Sequence, residues 1–307
     1  HRCASLLATG AVLFGPASWW PPRQRGDART ALWTRLAARS FPGEARPARR
    51  PSLFADAGMA LLRDTDGRPD ELWCRADHGP HGYLSIAAHA HADALAIEVR
   101  VGGVDVLADP GTYCYGVDPA WRDYFRSTLA HNTLEVGGVD QSLAAGPHLW
   151  ARQARAELEG AAGLDGGPVA EWRAAHHGYQ RLRPPAVHRR SVRLDRRARR
   201  LVVEDRLDGG AHDCRLAFHL GPDVACTLEC ARAVLQWPDG HGRRGATLTL
   251  PDEPAWLCLE GQTDPPAGWY SPAFGARVPT VTLLGSGRVC QGRALTTVLQ
   301  LDRGTTP

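Results

Sequence analysis

From Ser52 onward the chain reads as short apolar or alternating runs broken by Gly, Asp and Pro. The runs fall at 58–63, 71–76, 83–88, 94–101, 104–108, 133–136, 187–194, 200–206, 214–220, 224–229, 232–237, 246–250, 255–260, 280–284 and 295–301. Runs of this length with period-two patterning predict β-strands, and so many in succession predict an all-β fold, a large antiparallel β-sandwich. Val101-Gly102-Gly103-Val104 and Val136-Gly137-Gly138-Val139 carry two-glycine turns between apolar positions, and Leu207-Asp208-Gly209-Gly210 ends a further run. Such turns join antiparallel neighbours rather than parallel crossovers.

The first 41 residues follow a different pattern. Two helix-like segments, 2–14 and 28–40, are separated by Pro16, Pro21 and Pro22, which cannot sit inside a helix. Gly43 to Pro51 reads as an exposed linker, so residues 1–50 are a helical stretch plus linker and 51–307 the sandwich. The chain starts at His1 rather than Met, and Leu6, Leu7, Val12 and Leu13 followed by Trp19 and Trp20 read as the tail of an upstream helical region. The apolar run Leu6 to Phe14 is too short to span a bilayer, so no membrane span is expected.

Charge narrows the choice of partner. The net charge is +3, from 36 basic against 33 acidic residues, which creates no chain-wide field for nucleic acid; an anionic ligand has to be met by a local site. Every basic residue is Arg, so the cluster Arg196, Arg197, Arg199 and Arg200 is read as a solvated turn. Cys214, Cys226 and Cys258 lie in apolar runs and read as buried small hydrophobes, with one or two disulfides left open. His176-His177-Gly178-Tyr179 reads as a surface turn, and His188 and His219 as ordinary strand residues.

The stretch richest in chemistry is Ala87-Ala88-His89-Ala90-His91-Ala92-Asp93-Ala94-Leu95. On a strand, His89, His91 and Asp93 point to one face. The Gly102-Gly103 turn returns the chain to Asp109, a few residues from the cross-strand partner of His91, and His131 could supply a third ligand. Two imidazoles, one carboxylate and a water match a zinc site, structural or catalytic. Asp93 is read as a group that orients one of the histidines.

Four ordered motifs carry a resemblance: His89-Ala-His91-Ala-Asp93-Ala-Leu95, Leu107-Ala-Asp109-Pro110-Gly111-Thr112-Tyr113, Trp121-Arg122-Asp123-Tyr124-Phe125-Arg126-Ser127-Thr128, and His131-Asn132-Thr133. Together they resemble the C-terminal domain of the heparinase II/III-like family and its alginate-lyase-like relatives. The likeness is continuous from about residue 80 to 142 and looser to near the end. It implies an N-terminal α/α toroid followed by an antiparallel sandwich, a polysaccharide cleft between them and a zinc ion held by His91, Asp109 and His131. It also implies that His89 faces substrate at the cleft and that Tyr113, Tyr124 and Arg126 lie on the loop bordering it. Tyr113 and Tyr124 could equally be aromatic packing, and Arg126 a partner of Asp123.

The implied chemistry is β-elimination on a uronic-acid-containing polysaccharide, in the periplasm or outside the cell. The C6 carboxylate is neutralised, a base removes the C5 proton and an acid assists departure of the 4-linked oxygen. His89 suits the neutralisation. In the family the Tyr that acts as base and acid, with its Asn or His partner, comes mainly from the helical domain, which this chain lacks apart from residues 1–40. Two other classes remain open: a non-catalytic zinc-stabilised carbohydrate-binding module or truncated inactive fragment, and a metal-dependent hydrolase in which zinc activates water.

Overall fold

A computed structural model describes residues 2–15, 28–37, 50–64, 70–239 and 242–302. The chain divides into two compact units, His1–Pro51 and Ser52–Pro307. In the first, α1 (Arg2–Phe14) and α2 (Ala28–Leu36) form where the spacing predicts them. The proline break at 16–22 and most of the linker, 43–49, lie outside the described residues.

The second unit is built almost wholly of antiparallel strands. Its first sheet runs in sequence order through β1 (Leu53–Phe54), β2 (Met59–Arg63), β3 (Leu72–Asp77), β4 (Ile97–Val101) and β5 (Val104–Leu107). Helix α3 (Pro119–Arg126) follows. Asp118 caps it by accepting from the N–H groups of Ala120 and Trp121 at 3.2 and 3.3 Å, and Pro119 takes the first helical position. After β6 (Leu134–Val136) come a ribbon of β7 (Leu143–Ala144) with β8 (Trp150–Arg152), then β9 (Ala156–Ala162) and β10 (Val169–His176). The long strands β11 (Ala186–Asp195), β12 (Arg200–Gly209) and β13 (His212–His219) precede β14 (Ala225–Glu229), β15 (Arg232–Asp239), β16 (Gly242–Thr249) and β17 (Ala255–Glu260). Two small ribbons, β18 (Gln262–Thr263) with β19 (Pro266–Ala267) and β20 (Trp269–Ala273) with β21 (Ala276–Pro279), lead to β22 (Val281–Val289) and β23 (Ala294–Leu301).

An eight-stranded sheet in the order β14-β15-β16-β23-β12-β11-β10-β9 forms one layer. The other holds the five-stranded sheet and a four-stranded one, β17-β22-β13-β6, which meet at a bridge between Leu107 and Leu220. Alternation explains the burial: Ala186, His188, Arg190, Val192 and Leu194 of β11 turn inward, as do Leu295, Thr297, Leu299 and Leu301 of β23. The apolar ones among them share one core with Leu62, Leu72, Val99, Leu216, Phe218 and Trp172. Each fully buried aliphatic contributes roughly 1.5–3 kcal/mol. The glycine hairpins form as read: Gly102 and Gly103 both have positive φ, and Val101 pairs with Val104.

Several expectations need correction. Residues 83–88 form turns, not a strand, and leave Tyr83, Leu84 and Ile86 exposed. Arg196 and Arg199 do not dangle in a solvated turn: Arg196 donates to the carbonyls of Arg63, Gly163, Leu164 and Gly167, and Arg199 pairs with Asp64 and Asp70. Of the segment read as a surface turn, His176 and Tyr179 are fully buried, the Tyr179 hydroxyl donating to the Leu134 carbonyl at 3.0 Å. Cys258 is exposed, because its strand lies at a sheet edge. β9 and β10 were missed, since Glu157, Glu159, Ala174 and Ala175 give little apolar alternation.

Candidate metal centre

The segment 85–96 is not the strand that the alternation suggested: it forms turns, and β4 begins only at Ile97. Ala87 and Leu95 adopt φ of 47° and 60°, and the N–H groups of Ala90 and Ala96 close turns onto Ala87 and Asp93. Long-range bonds fix this path. The Ala92 N–H donates to the Arg126 carbonyl at 2.9 Å, the Leu95 N–H to Asp77, and the Gln141 amide to the Ala92 carbonyl at 2.7 Å. His89 and His91 therefore part company: His91 is buried and His89 exposed.

Asp109 emerges from the end of β5, and its Oδ1 accepts from the Gly111 N–H at 2.8 Å, which aims the carboxylate. His131 follows the short helical turn Thr128–Ala130 and is completely buried. Its Nδ1 lies 2.7 Å from the Ser127 carbonyl. A carbonyl accepts only from N–H, so Nδ1 carries the proton and Nε2 presents a lone pair. That Nε2 is 3.2 Å from Nδ1 of His91 and 3.5 Å from Oδ2 of Asp109. Ligand atoms of Asp93, Asp109 and His131 also lie within 4.8 Å of one another. A cavity of about 10 Å³, lined by Asp77, Asp93, Asp109, His131 and Asn132 among others, lies beside them and has the room of about one water.

The structure thus sets His91 and Asp109 each beside His131, while the group whose ligand atoms all lie close together is Asp93, Asp109 and His131 rather than the expected His91, Asp109 and His131. The electrostatics suit a cation. Burial, with Asp77 and Asp109 adding to it, pushes the Asp93 carboxyl up to about 7. Burial also works to raise Asp109, but His131 and His91 outweigh it and hold that carboxyl below its usual range. Burial and then His131 lower His91 to about 3, which keeps its imidazole neutral as a ligand must be. Neutral imidazoles with carboxylate oxygens form a donor set that fits zinc. His91 Nε2, buried without a partner, is a further nitrogen with unmet capacity.

The other expected site residues scatter. Tyr113 and Tyr124 pack with Trp121 and Phe125, and the Arg277 guanidinium lies over the rings of Tyr113 and Trp121. Arg126 is buried, donates to Asp123 at 2.8 Å and covers the Trp150 ring. His89 instead meets Tyr115 and His148, with ring centroids 5.3 and 6.4 Å away, and Tyr115 and His148 are 5.4 Å apart. Beneath them the buried Arg122 places its guanidinium 5.2 Å from the Tyr115 ring centre, held by a bond from Nε to the Pro147 carbonyl. Both Nη atoms of Arg122 are buried without a partner. Sequence reading missed Tyr115, Arg122 and His148. The only signals were a tyrosine two positions past Tyr113 and an arginine one turn before Arg126.

A groove of about 470 Å³ lies elsewhere, on the outer face of the eight-stranded sheet. Its Arg189 and Arg193 are paired with Glu159 and Glu171.

The model of the family described as heparinase II/III-like, C-terminal, matches residues 46–304. Among solved structures the chain is similar to the heparinase III BT4657 gene product, with 18% identity and a TM-score of 0.66, covering 90% of this chain and 38% of that one. It is likewise similar to the heparan sulfate lyase HepC from Pedobacter heparinus, with 16% identity and a TM-score of 0.65 over 91% of this chain and 40% of the other. A further heparinase III structure gives 16% identity and a TM-score of 0.66 over 99% of this chain and 48% of the other. The chain therefore spans less than half the length of these proteins, and likeness at this identity speaks for the fold. No curated protein matches. With the sandwich in place and the family model covering nearly all of it, the chain belongs to the heparinase II/III-like family, as its C-terminal domain.

Proposed function

We propose that this chain is the sandwich part of a polysaccharide lyase that cleaves uronic-acid-containing chains by β-elimination in the periplasm or outside the cell, with zinc held by His91, Asp109 and His131. The observation that carries this reading is the division of the His89–Asp93 segment: His91 turns into the donor cluster while His89 turns out against Tyr115 and His148. When bound, the ion joins three chain segments and so holds His89 in place; it supplies structure.

The residues at the surface carry the chemistry. His89 donates to the C6 carboxylate, which neutralises it in part and makes the C5 proton more acidic. Tyr115 lies in the same cluster, with the Arg122 guanidinium against its ring and His148 beside it, a position that suits it to proton transfer. The solved structures of like fold named heparinase III and heparan sulfate lyase support an acidic polysaccharide as the substrate class. An α/α toroid upstream completes the cleft in this reading, and among the described residues no helix is long and apolar enough to cross a membrane.

The test uses the full-length protein with its upstream region, assayed by ultraviolet absorbance of unsaturated uronate on heparan-type and alginate-type chains. His89→Ala is expected to lower kcat by roughly 10²–10⁴-fold with an unchanged thermal melt. Absence of unsaturated product from the wild type on every acidic polysaccharide overturns the lyase reading, and retained polysaccharide binding without product points to a zinc-stabilised binding module.

A further inference from the structure

Arg122 stands on α3 with only 1% of its surface exposed. Its Nε donates to the Pro147 carbonyl at 3.2 Å, and its guanidinium carbon lies 5.2 Å from the centre of the Tyr115 ring. Nη1 and Nη2, which carry four of the five N–H donors of an arginine, are buried and bonded to nothing. The carboxylates nearest in sequence are committed elsewhere: Asp118 caps the helix, and Asp123 pairs with Arg126. No carboxylate among the described residues pairs with Arg122. Arg126, one turn further along the same side of the helix, is buried as well and leaves its own Nη1 unpartnered, so a second positive charge adds to the first.

A guanidinium keeps its proton at any ordinary pH, so burial cannot neutralise it as it neutralises a lysine. Taken out of water, it needs acceptors for its N–H groups and a charge of opposite sign. The chain supplies one acceptor oxygen, at Pro147, and no counter-charge. We propose that Arg122 is an oxyanion-binding site: its two Nη groups receive a carboxylate or sulfate group, either as the free ion or as the anionic substituent of a sugar seated on the His89, Tyr115 and His148 cluster.

The chemistry of the fork matches that class of ligand, because two parallel N–H groups meet the two oxygens of a carboxylate or one edge of a sulfate. Tyr115 is the cover. It is half-buried, and its ring is held by contacts with His89, His148 and Phe274, with no hydrogen bond from its hydroxyl among the described residues. Gly116, Val117 and Pro147 beside it are exposed. Rotation of that one ring is the way in for the anion.

The experiment is equilibrium dialysis of radiolabelled sulfate against the purified chain, at fixed ionic strength balanced with sodium chloride. Saturable binding of a single sulfate per chain is expected, with affinity weakened at least about tenfold in Arg122→Met and kept in Arg288→Met, which removes an exposed arginine elsewhere. Arg122→Lys, which keeps the charge and loses the fork, falls between the two. A selenate soak of wild-type crystals, with anomalous density against the Arg122 Nη atoms, tests the site without any variant. Competition by glucuronate identifies the ligand as an anionic group carried on a sugar, and sulfate binding that glucuronate does not displace identifies it as the free ion; either keeps the inference. No saturable sulfate binding in the wild type, equal binding in a folded Arg122→Met, or selenate only at exposed arginines overturns it. The readout is binding alone, so a failure to cleave polysaccharide leaves this result standing.

Discussion

The guanidinium of Arg190 grips the carboxylate of Asp205 through two hydrogen bonds, Nε to Oδ1 at 2.7 Å and Nη2 to Oδ2 at 3.0 Å, and both side chains are fully buried. His188 Nε2 donates to the same Oδ1 at 2.6 Å. The remaining Nη1 of Arg190 reaches the carbonyls of Leu95 and Asn132, so one cation in the eight-stranded sheet holds two of the three segments that carry the candidate ligands. Burial works to raise Asp205, but Arg190 and His188 prevail and hold it at about 2.

Asp205→Asn leaves that cation buried without its counter-charge. The expected cost is about 3–5 kcal/mol in urea unfolding, against a much smaller loss when Arg190 and Asp205 are together replaced by apolar residues of similar volume. A single-variant loss below about 1 kcal/mol refutes the role given to the pair.

The donor geometry predicts graded metal loss. His131 Nε2 is the atom shared by both neighbours, so His131→Ala is expected to abolish zinc in elemental analysis, as is Asp109→Ala. Asp93→Asn is expected to weaken affinity by about 10–100-fold, the effect of removing a supporting partner. Equal, complete loss in all three variants makes Asp93 a direct ligand.

Asn132 is buried and bonded on every side. Its amide N–H groups donate to the carbonyls of Ile97 and Ala108 at 2.8 and 3.0 Å, and its oxygen accepts from the His219 N–H at 2.6 Å. Asn132→Leu strands all three backbone groups and is expected to cost roughly 2–4 kcal/mol in chemical denaturation. A neutral effect shows that water takes over these bonds.

Acid lability follows from His219. Its Nε2 donates to the Leu129 carbonyl, its Nδ1 accepts from the Thr282 hydroxyl, and burial lowers it to about 4. A folded value below the unfolded one of about 6.5 favours the neutral ring, so this stabilisation is whole above about pH 6.5 and lost as pH falls toward 4. The loss attributable to His219 reaches roughly 3 kcal/mol, read as a drop in the urea midpoint between about pH 7.5 and about pH 4 that is smaller in His219→Gln. An identical drop in both proteins rules His219 out.

Local chemistry made part of this legible in the sequence. Gly102-Gly103 and Gly137-Gly138 announced their hairpins because they accept positive φ at both turn positions, and the alternation of β11, β12 and β23 announced a two-layer fold. The His89–Asp93 segment misled, because its coil is imposed by Asp77, Arg126 and Gln141, all distant in sequence. The cluster of His89, Tyr115 and His148 was invisible for the same reason: a contact between residues 33 apart leaves no period to read.

The position of β23 has a consequence for biosynthesis. It is the last strand in sequence order among the described residues, yet it lies inside the eight-stranded sheet, between β16 and β12. Until residues 294–301 have left the ribosome, β12 and β16 are raw edges facing a gap, and the sheet exists as two halves that nothing joins. The nascent chain must therefore keep both edges apart from those of neighbouring polypeptides until translation has passed Leu301, which makes this domain a demanding client for the cell's holding chaperones.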